Sequence, residues 1–421
     1  MIKSVSPSED QQRFSLPQRS DRPVRLAYVV SHPIQYQVPL LRRIHECPSI
    51  DLTVFFGSDF SLKSYKDEGF GIELKWDVPL LGGYKSEFLP TLRDTGNEGI
   101  FSPINYGIYS RLAGRGSERP YDALWVHGYT TILQLQAILC ARLLGIPVLL
   151  RADSRWIEGE GTPLHLFIKK LCFGAMGKIA SGALAAGKHN ADYFHFYMGE
   201  QFPVFLMPYA VDNDWFQQQS KLASLTRDEF RKELGLQPGR PVILFASKLQ
   251  RRKHCSDLVE AYLQLAPPGQ EPHPYLLIVG DGEERAALER QVAVSGSKSI
   301  LFCGFRNQKE LPRFFDLASV FVLPASTEPW GLVVNEVMNA ARAVIVSDQI
   351  GCQPDLITDG VEGCVYPTND IPALTQALHR VLDQPETAEQ MGLRGLERIK
   401  QWSFEQDVEA LVQALDAVRK K

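Results

Sequence analysis

Two glutamates, Glu328 and Glu336, bracket a Pro-Trp-Gly turn in the stretch STEPWGLVVNEVMNAAR. On a single helix, eight steps of 100° would set them about 80° apart around the axis, too far for a carboxylate pair on one stripe. Pro329 also pushes Glu328 toward extended geometry, so Glu328 reads as a loop residue and Glu336 as lying one or two turns into the helix that follows. A second cluster, FASKLQRRKH, carries Lys248, Arg251, Arg252 and Lys253 after an apolar run. Lysine is a compact point charge suited to phosphate oxygens, and a helix start adds to the attraction. Taken alone, the same residues also fit a solvated basic turn.

The elements that must position these residues alternate along the chain. Short apolar runs (RLAYVVS, DLTVFF, YDALWVHGY, IPVLLRAD, SGALAAG) are separated by longer amphipathic segments. After a polar break between Asp212 and Gly239 the rhythm restarts with PVILFASKL, PYLLIVGDG, SILFCGF, SVFVLPAS, AVIVSD and GCVYP. Strand and helix signals in alternation predict α/β architecture: two doubly wound, Rossmann-like domains facing each other across a cleft. In such sheets ligands sit beyond the carboxyl ends of the strands. The expected division is a loose leader over 1–22, a first domain over 23–217 and a second over 218–402. A last helix over about 403–421 is expected to pack back on the first domain. Around Glu336, Leu332, Val333, Val334, Val337, Met338 and Ala341 form the apolar face, with Asn335, Asn339 and Arg342 as a polar strip.

With 421 residues, 44% hydrophobic and 22% charged, the composition is that of a globular chain of two domains. A net charge of -4 provides no basic field for nucleic acid. The seven cysteines lack any CxxC spacing and read as reduced thiols, which places the chain in the cytoplasm. No run is long and apolar enough for a membrane span. LFIKKLCFGAMGKI admits two readings, a helix docked at the inner face of an anionic membrane or a core helix whose lysines snorkel outward.

Residues 240–370 resemble the signature of glycosyltransferase family four, retaining enzymes of the two-domain GT-B fold. The matching blocks are FASKLQRRK, LLIVGDGEERAALE, FCGFRNQKELPRFFDLASVFVLPAS and EPWGLVVNEVMNAARAVIVSDQIGCQPDLITDG. The first half is similar more loosely, through WVHGY and the hinge-like MPYAVDNDWF. The resemblance implies a nucleotide-sugar donor and a hydroxyl acceptor, with no resident cofactor and no metal. It implies that Glu336 accepts hydrogen bonds from the donor's ribose hydroxyls and that Glu328 meets the transferred sugar. Lys248 and Lys253 would hold the diphosphate, backbone N–H groups of Trp330, Gly331 and Leu332 would lie near sugar and phosphate, and His127 would stand near the reacting centre.

Three departures accompany the match. Lys248 stands where the family has arginine, which removes a bidentate phosphate fork. SHPIQYQVPLL replaces a glycine-rich loop after the first strand, so His32, Gln35 and Tyr36 become candidates for contact with donor or acceptor, or simply the start of a helix set by Pro33. Cys352 replaces a second glycine. The stretch KDEGFGIELKWDVPLLGGYKSEFL lies in a long irregular segment between Gly57 and Pro103, and it offers Trp76, Asp77 and Tyr84 as an acceptor lip or as a self-packed loop. RADSR adds Asp153 on the acceptor side. DND at 212–214 reads as a hinge turn rather than a metal motif. An epimerase or hydrolase on the same fold, or a silent sugar-nucleotide-binding protein, are the alternatives to transfer.

Overall fold

The computed structural model describes residues 22–419, apart from 64, 68, 70, 75–77, 97–98, 115–117, 156–161 and 268–272. Seven strands of the first half form one sheet: β1 (Val24–Val30), β2 (Ile50–Phe56), β3 (Lys85–Phe88), β4 (Ala123–His127), β5 (Val148–Arg151), β6 (Gly182–Ala185) and β7 (Val204–Leu206). Their order is β7-β6-β5-β4-β1-β2-β3, with every pairing parallel. Six strands of the second half form another: β8 (Val242–Ala246), β9 (Tyr275–Val279), β10 (Ile300–Gly304), β11 (Val320–Leu323), β12 (Ala343–Ser347) and β13 (Gly363–Tyr366). These run β10-β9-β8-β11-β12-β13, again all parallel. Parallel strands are covered on both faces, which is why VILFA of β8 and YLLIV of β9 are apolar without alternation and wholly buried.

Strand order reverses between β4 and β1 in the first sheet and between β8 and β11 in the second. At those two points consecutive crossovers leave in opposite directions and open a crevice at the strands' carboxyl ends. His32 follows β1 and His127 ends β4; Lys248 follows β8 and Glu328 follows β11. Topology therefore gathers the chemistry-bearing residues at two facing crevices.

Seven helices matter below: α1 (Val38–His45), α2 (Ile132–Leu143), α3 (Pro163–Ile179), α4 (Lys188–Met198), α5 (Cys255–Leu265), α6 (Leu332–Met338) and α7 (Phe404–Arg419). α7 buries Leu411, Ala414, Leu415 and Val418 against first-sheet residues such as Leu26, Leu52 and Leu184. The chain thus returns to its first domain after completing the second. Asp212 does more than turn the hinge: its Oδ1 accepts the Trp215 N–H at 2.9 Å and caps the Asn213–Leu225 helix.

Two expectations change. The Gly57–Pro103 segment is less irregular than its composition suggests, since it holds β3 and two short hairpins, Tyr65–Asp67 with Ile72–Leu74 and Thr91–Arg93 with Ile104–Asn105. Tyr84 belongs to the core rather than a lip: its ring is buried beside β2 and α1, and its hydroxyl donates to the Leu80 carbonyl. A self-packed loop of this kind satisfies its own polar groups and presents little to a ligand. Trp76 and Asp77 lie outside the described residues.

Candidate functional site

A cavity of about 380 Å³ opens at the β8/β11 crevice, lined among others by Ser247, Lys248, Lys253, Glu328, Gly331, Leu332 and Glu336. Two larger clefts, about 720 Å³ each, lie elsewhere. One of them is lined by Asp122, Pro147, Ser181 and Pro203, which precede strands and so mark the opposite edge of the first sheet. Convergent charge, rather than size, makes the smaller cavity the candidate site.

Lys253 arrives on a single 3-10 turn, Arg251–Lys253, whose following residue His254 adopts a left-handed backbone (φ 50°) before α5 begins. That turn points the lysine inward, and its ammonium pairs with the Glu328 carboxylate, which Arg252 also reaches at 3.3 Å. Both partners are nearly enclosed, with side-chain exposures of 8% and 14%. Burial pulls the Lys253 pKa down, while Glu328 pulls it up.

The Glu328 loop is pinned from beneath. Gly351 N–H donates to the Glu328 carbonyl and Cys352 N–H to that of Trp330, each at 2.9 Å. A Cβ on Gly351 would fall inside the van der Waals shell of the Pro329 carbonyl. Gly351→Ala should therefore cost about 2 kcal/mol or more in urea unfolding and displace Glu328, lowering ligand affinity with it. An unchanged midpoint would show that the loop yields without penalty. Cys352, by contrast, is fully buried in the core with a right-handed helical backbone (φ -79°), so no glycine is needed there.

Gly331 adopts φ 95°, and α6 starts at the next residue, which sets Glu336 just past its first turn. The Glu336 carboxyl lines the cavity, and burial pushes its pKa up to about 8. The Trp330 side chain faces away from this space, where its indole N–H donates to Asn335 Oδ1 at 3.0 Å and its ring meets Tyr209 of the hinge edge-on. Leu332 and Gly331 line the cavity directly.

Across the cleft, His127 is buried at the end of β4. Gln37 Nε2 lies 3.0 Å from His127 Nδ1, and Tyr28 donates to Gln37 Oε1 at 2.6 Å. Asp153 Oδ1 lies 3.7 Å from His127 Nε2. His32 stacks on Phe60 with ring centroids 4.4 Å apart. Burial, with the neighbouring His127, lowers the His32 pKa to about 4, so its ring is neutral at pH 7. Tyr36 packs edge-on against Tyr209 and joins the hinge core. Gln35 bridges the halves, donating to Gln308 Oε1 at 2.6 Å.

Other contacts also join the two crevices. Arg155 donates to the Gln349 carbonyl at 2.7 Å, and the Lys188 N–H donates to Asp355 Oδ2 at 3.0 Å. A Cβ on Gly69 would lie 2.6 Å from Cδ of Lys248, so a first-domain hairpin overhangs the basic cluster. The sequence reading missed Gln37, Arg155 and Arg151. Arg151, buried inside an apolar strand, donates to the hinge carbonyls of Met207 and Pro208. A charge within VLLRA was the one signal that could have exposed it, because buried arginines are rare unless paired.

Residues 226–398 match the family described as glycosyl transferases group 1. Among curated proteins, the chain is 31% identical over 166 residues to an alpha-D-kanosaminyltransferase of Streptomyces kanamyceticus, covering 39% of this chain and 42% of that protein. It is 29% identical over 182 residues to a GDP-mannose-dependent monoacylated alpha-(1-6)-phosphatidylinositol monomannoside mannosyltransferase of Corynebacterium glutamicum, covering 42% and 47%. The chain thus spans about half the length of the curated relatives it matches. Among solved structures, a sucrose-phosphate synthase of Thermosynechococcus elongatus superposes with a TM-score of 0.65 at 19% identity, over 93% of this chain and 98% of that one. A protein of Anabaena solved in complex with UDP gives 0.68 at 16% identity, over 94% and 100%. The architecture is therefore GT-B.

Proposed function

We propose that the chain is a retaining glycosyltransferase that moves a sugar from a nucleoside-diphosphate sugar to a hydroxyl acceptor, in the synthesis of a polysaccharide, glycolipid or other glycoconjugate. The observation that carries this reading is the convergence of Lys248, Lys253, Glu328 and Glu336 on one cavity at the β8/β11 switch point. Free cysteines throughout suit a reducing, cytoplasmic setting.

The geometry supports the following roles. Lys253 and Lys248 supply positive charge for the diphosphate, so the leaving group's developing charge is met by fixed cations. Glu328, held by Lys253 and Arg252, presents its remaining lone pairs to hydroxyls of the transferred sugar. Among the described residues Glu336 has no charged partner to stabilise its anion, and a ribose diol would supply two donors to it. His127, aligned by Gln37 and Asp153, borders the space between the crevices where an acceptor hydroxyl would enter. Attack on the face from which the phosphate departs lets that phosphate take the acceptor's proton, so the protein need only hold charge and position.

The test combines ligand and product. Nucleoside diphosphates should raise the thermal midpoint by mass action. With donor and acceptor present, NMR of the anomeric proton in the first minutes should show the donor's configuration kept, with EDTA leaving the rate nearly unchanged. An inverted product, or activity lost to chelator and restored by manganese, would overturn the mechanism. Sugar release or epimerisation without acceptor would move the activity to another reaction on this fold.

A further inference from the structure

The helix α3 is exposed in a way the first sheet does not require. Its inner side reaches the core only through partly buried residues such as Phe173, Met176 and Ile179, and none of its described residues is fully buried. Leu164, Phe167, Ile168 and Leu171 face outward with exposures of 68%, 67%, 50% and 66%. Their spacing of i, i+3, i+4 and i+7 makes one continuous apolar stripe. Soluble surfaces scatter such residues singly and seldom align them.

Neighbouring elements add exposed apolar residues on the same face of the sheet. α2 packs on the same face of the sheet through Leu133, Ala137 and Ile138, and it leaves Leu139 and Leu143 exposed. The Ile132 N–H at its start donates to the Ile100 carbonyl at 3.0 Å, which brings exposed Ile100 and Phe101 to the same edge. Charge on α3 has a single sign: Lys169, Lys170 and Lys178 are present, and its sequence holds neither Asp nor Glu. Lys170 lies over the ring of half-exposed Phe196, which places its ammonium group at the stripe's margin, whereas Lys169 lies over buried Tyr193 and Tyr197 on the inward side with Phe173. Apolar side chains in the centre with lysines at the edge fit the interface of an anionic bilayer, where the chains enter the acyl boundary and the lysines meet phosphates. No helix among the described residues is long and apolar enough to cross a membrane, so this is a surface contact.

Position gives the contact a purpose. α3 is the crossover that follows β5 in a parallel sheet, so the stripe starts on the side of the strands' carboxyl ends, where the cleft opens. We infer that α3 and its neighbours seat the protein on an anionic lipid surface with the cleft mouth at the headgroups. Resting on the proposed transfer reaction, the corollary is that the acceptor hydroxyl is carried by a membrane lipid.

The test is flotation of the full chain with vesicles of phosphatidylcholine alone or mixed with phosphatidylglycerol. The wild type should float with the mixed vesicles and remain behind with the neutral ones. Phe167→Ser with Leu171→Ser should weaken recovery at least about tenfold, and Lys170→Glu with Lys178→Glu should do the same. Both pairs should leave the thermal midpoint and nucleoside-diphosphate binding unchanged, because the altered side chains lie outside the core and the cavity. Failure to float, or equal recovery on both vesicle types, would overturn the inference, as would a dimer in sedimentation that Phe167→Ser with Leu171→Ser dissolves. Loss of diphosphate binding in the wild type would instead strike the transfer reading and leave the surface contact standing.

Discussion

Replacing Lys253 with methionine should weaken nucleoside-diphosphate binding by roughly 30- to 150-fold while barely changing the affinity for the free nucleoside. The range corresponds to about 2–3 kcal/mol for hydrogen bonds to a charged group. The same change should destabilise the fold by about 3 kcal/mol, because Glu328 is left nearly enclosed without its closest cation. Arg252, at 3.3 Å, remains as a second partner and keeps the loss at the lower end of the range for broken buried pairs. The combined Lys253→Met and Glu328→Gln variant separates the two effects. It should recover most of the stability, since no buried charge is orphaned, and recover none of the diphosphate affinity. Calorimetry with nucleoside and nucleoside diphosphate on each variant supplies the numbers. Equal losses for both ligands would remove Lys253 from the phosphates.

The second large effect is in pH. Burial pushes the Glu336 carboxyl up to about 8, whereas an unfolded glutamate titrates near 4.3. The folded form therefore keeps a proton that the unfolded chain releases across that window. Stability is highest below the unfolded value and declines as pH rises toward 8, by an amount on the order of 2–4 kcal/mol for a carboxyl that faces an open cavity. Asp407, wholly buried with both carboxyl oxygens lacking a hydrogen-bond partner among the described residues, also has a raised pKa and slopes the same way. The difference between wild type and Glu336→Gln isolates Glu336. Ligand binding should run in the opposite direction. In the proposed site, ribose hydroxyls would donate to the ionised carboxylate, so nucleoside affinity should rise by up to about tenfold per pH unit from 6 to 8 and then level off. A free nucleoside avoids the titration of phosphate. Titration in two buffers of different ionisation enthalpy should show proton release on binding, absent in Glu336→Gln. Proton uptake, or an affinity independent of pH, would take Glu336 off the ribose.

Local features of the sequence determined the elements and much of the second-domain crevice. Apolar runs such as VILFA and VFVL are strands because every side chain must be apolar when both faces of a parallel sheet are covered. Pro329 and Gly331 place Glu328 on a loop and Glu336 on a helix through backbone restrictions that act within a few residues. These are short-range effects, and short-range patterns record them.

Partnership was decided elsewhere. Lys253 and Glu328, 75 positions apart, meet because β8 and β11 pair directly, a strand order that no local pattern encodes. Gln37 reached His127 by the same route, across the β1/β4 switch point. Tyr84 and Phe167 show the limit most plainly. Both sit in mixed aromatic and apolar stretches, yet one is buried and the other two-thirds exposed. Hydrophobicity records that a side chain would gain by leaving water, but only the surrounding elements determine whether anything is there to cover it. α7 returns to cover the sheet face near Tyr84, and no described element covers the outer stripe of α3.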